Sequence, residues 1–129
     1  MLDLAPRPFM VAPGMPGTPV IRNLWKKAKD HAKVRSLPFS LKTQDVRDLM
    51  ESSGGRCAVS GLPFDYLYIP HGCRRRPFAP SIDRINCALG YDLQNVRLVC
   101  NIVNQAMGEW GADELYRVAE AMVFKRHSN

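Results

Sequence analysis

The amino-acid sequence predicts an α+β fold in one small domain. Apolar residues recur at three- and four-residue spacing near both ends of the chain, which is typical of amphipathic helices. Between them lie a short segment at 81–85 and a stretch of apolar and β-branched residues at 96–100, and a turn-rich connection separates them, as expected of two strands. A length of 129 residues is sufficient for one modest hydrophobic core.

The N-terminal part of the chain predicts an arm followed by a helix. Residues 1–20 hold five prolines, which predicts a flexible, poorly ordered arm. From residue 21 the spacing is helical, and Leu37-Pro38 ends the pattern because proline disfavours helical geometry in the residue before it. The predicted buried stripe comprises Ile21, Leu24, Trp25, Ala28 and Ala32.

Basic residues are concentrated in the helical segment 21–53. Nine Lys/Arg and four Asp/Glu lie between Arg22 and Arg56, so this stretch carries +5 of the net charge of +6. Such a helix either contacts phosphates or presents a solvated face, and the overall charge favours a nucleic-acid partner. The candidate DNA-contacting residues here are Arg22, Lys26, Lys27, Lys29, Lys33 and Arg35.

A second helix is predicted over residues 43–53. Thr43 is the expected N-cap, and Asp45 in the first turn complements the helix dipole. Two glycines at 54–55 end the pattern. The predicted buried residues are Val46, Leu49 and Met50.

The remaining elements follow in order. Short extended segments at 56–59 and 62–69 flank a turn at 60–61, and a loop at 70–80 contains Arg74, Arg75 and Arg76, which either contact phosphates or are solvated. After the strand, connection, strand and helix at 81–107, a last helix at 112–129 is expected to pack on the same domain. Its apolar stripe is Leu115, Val118, Ala119 and Met122. Trp25 and Trp110 are assigned to the core, and Tyr91 to packing of the connection rather than to base stacking.

The composition predicts a cytoplasmic protein. No apolar run approaches the roughly 18 residues of a membrane span, and Phe9-Met10-Val11 is too short for the core of a secretory signal. In that setting cysteines are expected to be reduced or metal-bound rather than paired in disulfides. The four cysteines are Cys57, Cys73, Cys87 and Cys100.

Three polar residues of the middle segment predict a cation site. Asp83 lies on the first strand, Asn95 at the entrance to the second, and Asn104 one turn into the following helix. A strand-strand-helix unit can bring a carboxylate and an amide oxygen together, and oxygen ligands suit Mg²⁺, or Mn²⁺ as the alternative. A cation there would neutralise charge on a phosphodiester.

The segments "CAVSGLPF" and "PSIDRINCALGYDLQNVRLVCNIVNQA" resemble the HNH endonuclease family, whose core is a ββα-metal unit. The similarity is greatest to a phage-type branch with Asp-Arg-Ile in place of Asp-His-Ile, and it covers roughly residues 22–111. The upstream "WKKAKDHAKVRSLPFSL" resembles the basic helix that precedes the motif in that branch. The resemblance implies that residues 54–111 form an HNH-like core.

The resemblance also implies roles for individual residues. Asp83 and Asn104 would be the protein ligands of the divalent cation, and Asn95 would tie the connecting loop to the first strand. The alternatives are a salt bridge from Asp83 to Arg84 or Arg97, and a capping role for Asn95. Arg97 is also a candidate DNA contact.

Arg84 stands where the family usually has the histidine that activates water. Arginine stays protonated at neutral pH and cannot take that proton, but it can hold the scissile phosphate. The expected sources of the nucleophile are His71, on the arginine-rich loop, or a metal-bound water. His31 and His127 are interpreted as surface residues.

A second departure concerns zinc. Many family members hold the core with two Cys-x-x-Cys pairs, whereas Ser60 and Val103 replace two of those ligands here. A structural zinc normally takes four Cys or His ligands, so no structural zinc is expected. Cys57 and Cys100 are instead expected to be neighbours that pack as small apolar side chains.

The sequence therefore predicts a metal-dependent HNH-type endonuclease acting on double-stranded DNA, with no membrane partner and an unspecified oligomeric state. The alternative is a catalytically inactive HNH-fold module that binds DNA or a partner protein.

Overall fold

The first element is helix α1 (Thr18–Arg35) in the computed structural model, which describes residues 17–128. Of the predicted arm at residues 1–20, residues 1–16 lie outside the described residues, whereas residues 18–20 belong to the helix, which therefore begins three residues earlier than expected. Pro19 lies in its first turn, where the fixed φ of proline suits helix entry. Ser36 ends the helix in a left-handed conformation, just before Leu37-Pro38, as predicted.

Helix α2 (Thr43–Ser52) packs beside α1 and differs from the prediction by one residue at its start. Thr43 is the first helical residue and Lys42 is the N-cap. The Lys42 backbone N–H donates to the Asp45 carboxylate at 2.8 Å, so the acidic residue in the first turn holds the helix entry. Val46 and Met50 are buried, as the pattern predicts.

The segment at 56–69 contains no strand in the part of the chain that the structure describes. One isolated bridge joins Arg56 to Pro63. Further along, the buried Asp65 carboxylate accepts the backbone N–H groups of Leu67 and Tyr68 at 2.8 and 2.9 Å. The turn occupies backbone N–H groups that a strand would need for its ladder hydrogen bonds. The predicted extended segment therefore does not pair with another strand.

Strands β1 (Pro80–Arg84) and β2 (Val96–Cys100) form a two-stranded antiparallel sheet. The register places Ser81 opposite Val99 and Asp83 opposite Arg97 on one face. The other face carries Pro80, Ile82 and Arg84 opposite Cys100, Leu98 and Val96.

Helix α3 (Asn101–Met107) follows β2 directly and lies along β1. The Asn101 backbone N–H donates to Ala79 O at 2.9 Å, which fixes the start of α3 beside the start of β1. The predicted helix at 101–107 is confirmed, and the order β1, β2, α3 is the strand-strand-helix order expected from the sequence. The described residues thus establish an α+β architecture.

The core lies between the sheet and the helices. The main cluster of buried residues joins α1, α2, the 57–64 segment and both faces of β2, and comprises Ile21, Leu24, Val46, Met50, Cys57, Val59, Phe64, Leu98, Val99, Cys100 and Met107. A second cluster joins α1 to the connection and comprises Ala28, Ala32, Leu41, Tyr91 and Val96. Tyr91 is 4% exposed, which confirms its packing role.

Helix α4 (Ala112–His127) departs from the prediction in its packing. None of its residues, all within the described range, is buried, and only Ala112 and Leu115 pack against the main cluster. Trp110, assigned to the core from its size, is 71% exposed. No helix of residues 17–128 has both the length and the apolar content needed to cross a membrane.

Candidate nucleic-acid and cation site

Asp83 and Asn104 lie on the same side of the sheet. The Asn104 Nδ2 donates to Ser81 Oγ at 2.6 Å. Ser81 and Asp83 are two residues apart on β1, so their side chains share a face and their Cα atoms are about 7 Å apart. Helix α3 therefore brings the amide of Asn104 to the face that carries the Asp83 carboxylate.

Asp83 is buried and already has a cationic partner. The Arg97 Nε donates to Asp83 Oδ2 at 2.9 Å, and the two residues are directly opposite in the register. Burial raises the pKa of the Asp83 carboxyl above its ordinary value, and the hydrogen bond from Arg97 opposes that rise. The predicted salt-bridge alternative for Asp83 is thus present, with Arg97 as the partner.

Arg97, which the sequence suggested as a DNA contact, makes contacts within the fold. Besides its bond to Asp83, its Nη2 lies 3.6 Å from Met107 Sδ, so the side chain runs between the sheet and α3. Its guanidinium thus neutralises a buried carboxylate. A contact between Arg97 and DNA stays a prediction.

Arg84 faces away from Asp83, as alternation along a strand requires. Its Nη1 donates to the backbone carbonyls of Cys87 and Leu89, the latter at 3.2 Å. The guanidinium also lies over the Tyr91 ring, 5.4 Å from its centroid. Arg84 therefore holds the connection between the strands, and the predicted phosphate contact is not what these bonds provide.

Asn95 ties the same connection to the end of β1. Its Nδ2 donates to the carbonyls of Asn86 and Gly90 at 3.1 and 2.8 Å, and its Oδ1 accepts from the Asn86 N–H at 2.9 Å. The backbone adds Ile85 N–H to Asn95 O at 2.8 Å. The loop-tying contacts expected of Asn95 are present.

A glycine and an aromatic residue attach the connection to the rest of the fold. The Tyr91 N–H donates to Pro38 O at 2.9 Å, and the Ser40 N–H returns to Tyr91 O at 2.9 Å. A Cβ on Gly90 would lie 2.3 Å from Pro38 O, so only glycine permits this approach. The Gly-Tyr pair of the motif thus positions the connection against the chain that follows α1.

A polar cleft opens where α1, β1 and α3 meet. Lys27 and His31 of α1 line it together with Ser81, Asn104 and Arg75. A neighbouring cleft adds Arg74 and Arg76 next to Lys27. We refer to these two adjoining depressions as the α1–β1 cleft. It brings together one of the predicted DNA-contacting residues of α1, the whole arginine triplet and one of the two predicted cation ligands.

The basic side chains of α1 lie on two stripes. The helical spacing of three and four residues places Arg22, Lys26, Lys29 and Lys33 on one stripe. Lys27, His31 and Arg35 share another stripe, of which Lys27 and His31 line the α1–β1 cleft. Within the solvated stripe, Lys26 pairs with Asp30 at 3.7 Å and Lys29 lies over the Trp25 ring.

The two histidines considered from the sequence differ in position. His71 is exposed on the loop at 70–80 and does not line the α1–β1 cleft, whereas His31 does. The sequence predicts a surface position for His31, because no motif accompanies it on its helix. Only the tertiary packing of α1 on β1 brings it near Asn104.

The side-chain oxygens of Asp83 and Asn104 suit a hard, largely hydrated cation. Within residues 17–128, neither Asp83 Oδ1 nor Asn104 Oδ1 takes part in a side-chain hydrogen bond. One carboxylate and one amide oxygen are the kind of partial protein shell that Mg²⁺ accepts when water and phosphate complete it. Clusters of three or more His, Cys, Asp or Glu side chains able to hold a metal are absent from the described residues.

Cys57 and Cys100 are neighbours, as predicted. The Cys57 Sγ accepts the backbone N–H of Cys100 at 3.3 Å and that of Ser60 at 3.4 Å. Together with a hydrogen bond from the Cys100 thiol, these contacts lower the pKa of Cys57 to about 4, and the pKa of the donating Cys100 is raised. Val103, at the position of an absent zinc ligand, packs against the main cluster.

Comparison of the chain with models of protein families, with curated proteins and with solved structures yields no significant match.

Proposed function

We propose that the chain is a metal-dependent endonuclease of the HNH type that hydrolyses phosphodiester bonds of double-stranded DNA. The observation that carries the proposal is the placement of Asn104 beside Ser81, on the face of β1 that also holds Asp83. These two residues would hold Mg²⁺ or Mn²⁺ through their Oδ1 atoms. The bound cation would supply positive charge next to the scissile phosphate.

The residues of the chain divide the remaining tasks. Lys27 and Arg75 contact the phosphate backbone at the α1–β1 cleft, because they are cations on the same depression as Asn104. Asn95 and Arg84 keep the connection between the strands in place.

His31 is the candidate that holds and deprotonates the attacking water, since it lines the cleft and His71 does not. A neutral imidazole can accept the proton that a guanidinium cannot. Parallel assays of His31→Ala and His71→Ala test this assignment. We expect a large loss of cleavage rate only for His31→Ala, and a loss confined to His71→Ala would contradict it.

Cleavage of supercoiled plasmid tests the proposal as a whole. We expect Mg²⁺ or Mn²⁺ to support nicking or linearisation, and EDTA or Asp83→Ala to abolish it. An intact plasmid with either cation would refute the endonuclease.

A second candidate is a catalytically inactive HNH-fold module that binds DNA. Two observations favour it: Asp83 is neutralised by Arg97, and Arg84, where the family resemblance would place the catalytic histidine, donates to loop carbonyls. The same plasmid assay separates the two candidates, because a module would retard DNA on a gel without cutting it.

DNA binding has its own matched test. Lys27→Ala should weaken binding and reduce the slope of log affinity against log salt by about one unit, because it removes one phosphate contact. Lys26→Ala removes the same charge from the solvated stripe and should change both quantities less. Equal effects of the two substitutions would contradict the assignment of the α1–β1 cleft as the DNA-contacting surface.

A further inference from the structure

Helix α4 extends away from the core after its first turn. Leu115 packs against the main cluster, and the Tyr116 hydroxyl donates to the Val59 carbonyl at 2.5 Å, so the start of the helix is attached. Beyond that point large apolar side chains remain in water: Val118 is 54%, Met122 65% and Phe124 75% exposed. An apolar helix surface of this kind is typical of an interaction site.

One face of α4 combines apolar residues with charges of both signs. Val118, Ala121 and Met122 form its centre, with Glu114 before them and Lys125 after them. We refer to this surface as the α4 face. Arg117 lies beside it and pairs with Glu114 in the same helix at 3.6 Å.

We propose that the α4 face binds a second copy of this chain, with the two α4 helices antiparallel about a twofold axis. In such a dimer a residue and its partner are equidistant from the axis. If the axis passes between Ala119 and Glu120, Val118 meets Ala121 of the other copy. Val118 and Ala121 of the two copies then cover each other, and Met122 lies opposite Arg117 of the other copy.

The charges fit the same axis. Glu114 and Lys125 are each five and a half residues, about 8 Å along the helix, from the midpoint between Ala119 and Glu120. Each Glu114 therefore faces a Lys125 of the other copy, which gives two such pairs per dimer. A parallel pairing would instead place Glu114 beside Glu114 and Lys125 beside Lys125, which is unfavourable. Charge complementarity thus selects a second antiparallel copy as the occupant.

Sedimentation of the full chain over a range of concentrations tests the proposal. We expect a reversible dimer, and we expect Ala121→Glu to produce a monomer because it places a charge opposite Val118 of the other copy. Ala121 is exposed, so the variant should retain the wild-type urea midpoint, which serves as the folding check. A monomer at every concentration of the wild type would overturn the proposal, as would a dimer that tolerates Ala121→Glu.

A charge exchange tests the antiparallel arrangement. Glu114→Lys and Lys125→Glu should each weaken the dimer roughly tenfold, because each converts two exposed attractive pairs into repulsive ones. The double substitution restores both pairs and should recover the wild-type affinity. Glu120→Lys, on the opposite side of the helix, is the matched control and should have little effect. Failure of the double variant to recover affinity would overturn the antiparallel pairing.

Discussion

Replacement of Asn95 by alanine should destabilise the fold by removing the hydrogen bonds that hold the β1–β2 connection. Its amide makes three such bonds, two to Asn86 and one to the buried Gly90 carbonyl. At about 0.5–1.5 kcal/mol each, their loss amounts to roughly 1.5–4.5 kcal/mol. Because Asn86 is exposed, water replaces its two bonds in part, and we expect about 2–3 kcal/mol.

Urea unfolding of Asn95→Ala, followed by circular dichroism, measures this loss as a lower midpoint at unchanged slope. Gln94→Ala is the matched control, because its neighbouring side chain is exposed and should shift the midpoint little. A change in unfolding free energy below about 0.5 kcal/mol for Asn95→Ala would show that the connection does not depend on this amide, and would refute the reasoning.

Three further substitutions test other contacts. Gly90→Ala forces a Cβ to within 2.3 Å of Pro38 O and should cost about 3 kcal/mol in urea unfolding, so a wild-type midpoint would contradict the close approach. Cys57→Ala removes the acceptor of the buried Cys100 N–H and should cost about 2–3 kcal/mol in the same assay, whereas a neutral effect would argue against this hydrogen bond. Burial raises the pKa of Asp83, so the folded state binds its proton more tightly than the unfolded state does, and wild-type stability should fall as pH rises from the ordinary aspartate range through the raised pKa. Asp83→Asn should lose this pH dependence, and equal slopes of unfolding free energy against pH in the two proteins would contradict it.

The helices and strands could be predicted where local pattern and tertiary environment agree. The β-branched stretch at 96–100 and the helix at 101–107 have the predicted bounds, because the strand is buried on both faces and the helix follows it directly. The prediction of a strand at 62–69 was wrong, because the Asp65 carboxylate accepts hydrogen bonds from backbone N–H groups of this segment. Periodicity also could not show that α4 buries none of its residues against the described part of the chain, since an apolar stripe looks the same whether it meets a core or water.

The candidate site could be predicted only in part, for a related reason. The spacing of Asp83 and Asn104 along one strand-strand-helix unit was enough to place them on one side of the sheet. The spacing could not identify the partners of Arg84 and Arg97, because a guanidinium binds carbonyls, carboxylates and phosphates equally well. Only the register places Arg97 opposite Asp83. The position of His31 in the cleft could not be predicted, because only the tertiary packing of α1 on β1 brings it near Asn104.

The pairing of Asp83 with Arg97 has a consequence for how the proposed enzyme would acquire its cation. The only carboxylate of the proposed site is already neutralised at Oδ2, so the remaining oxygens attract a divalent ion weakly. In the proposed complex, a DNA phosphate at the α1–β1 cleft, next to Lys27 and Arg75, would add the missing negative charge beside Asn104. By linkage, cation and DNA should then strengthen each other's binding by the same factor. The ion pair would thus make the cation site complete only when the substrate is in place.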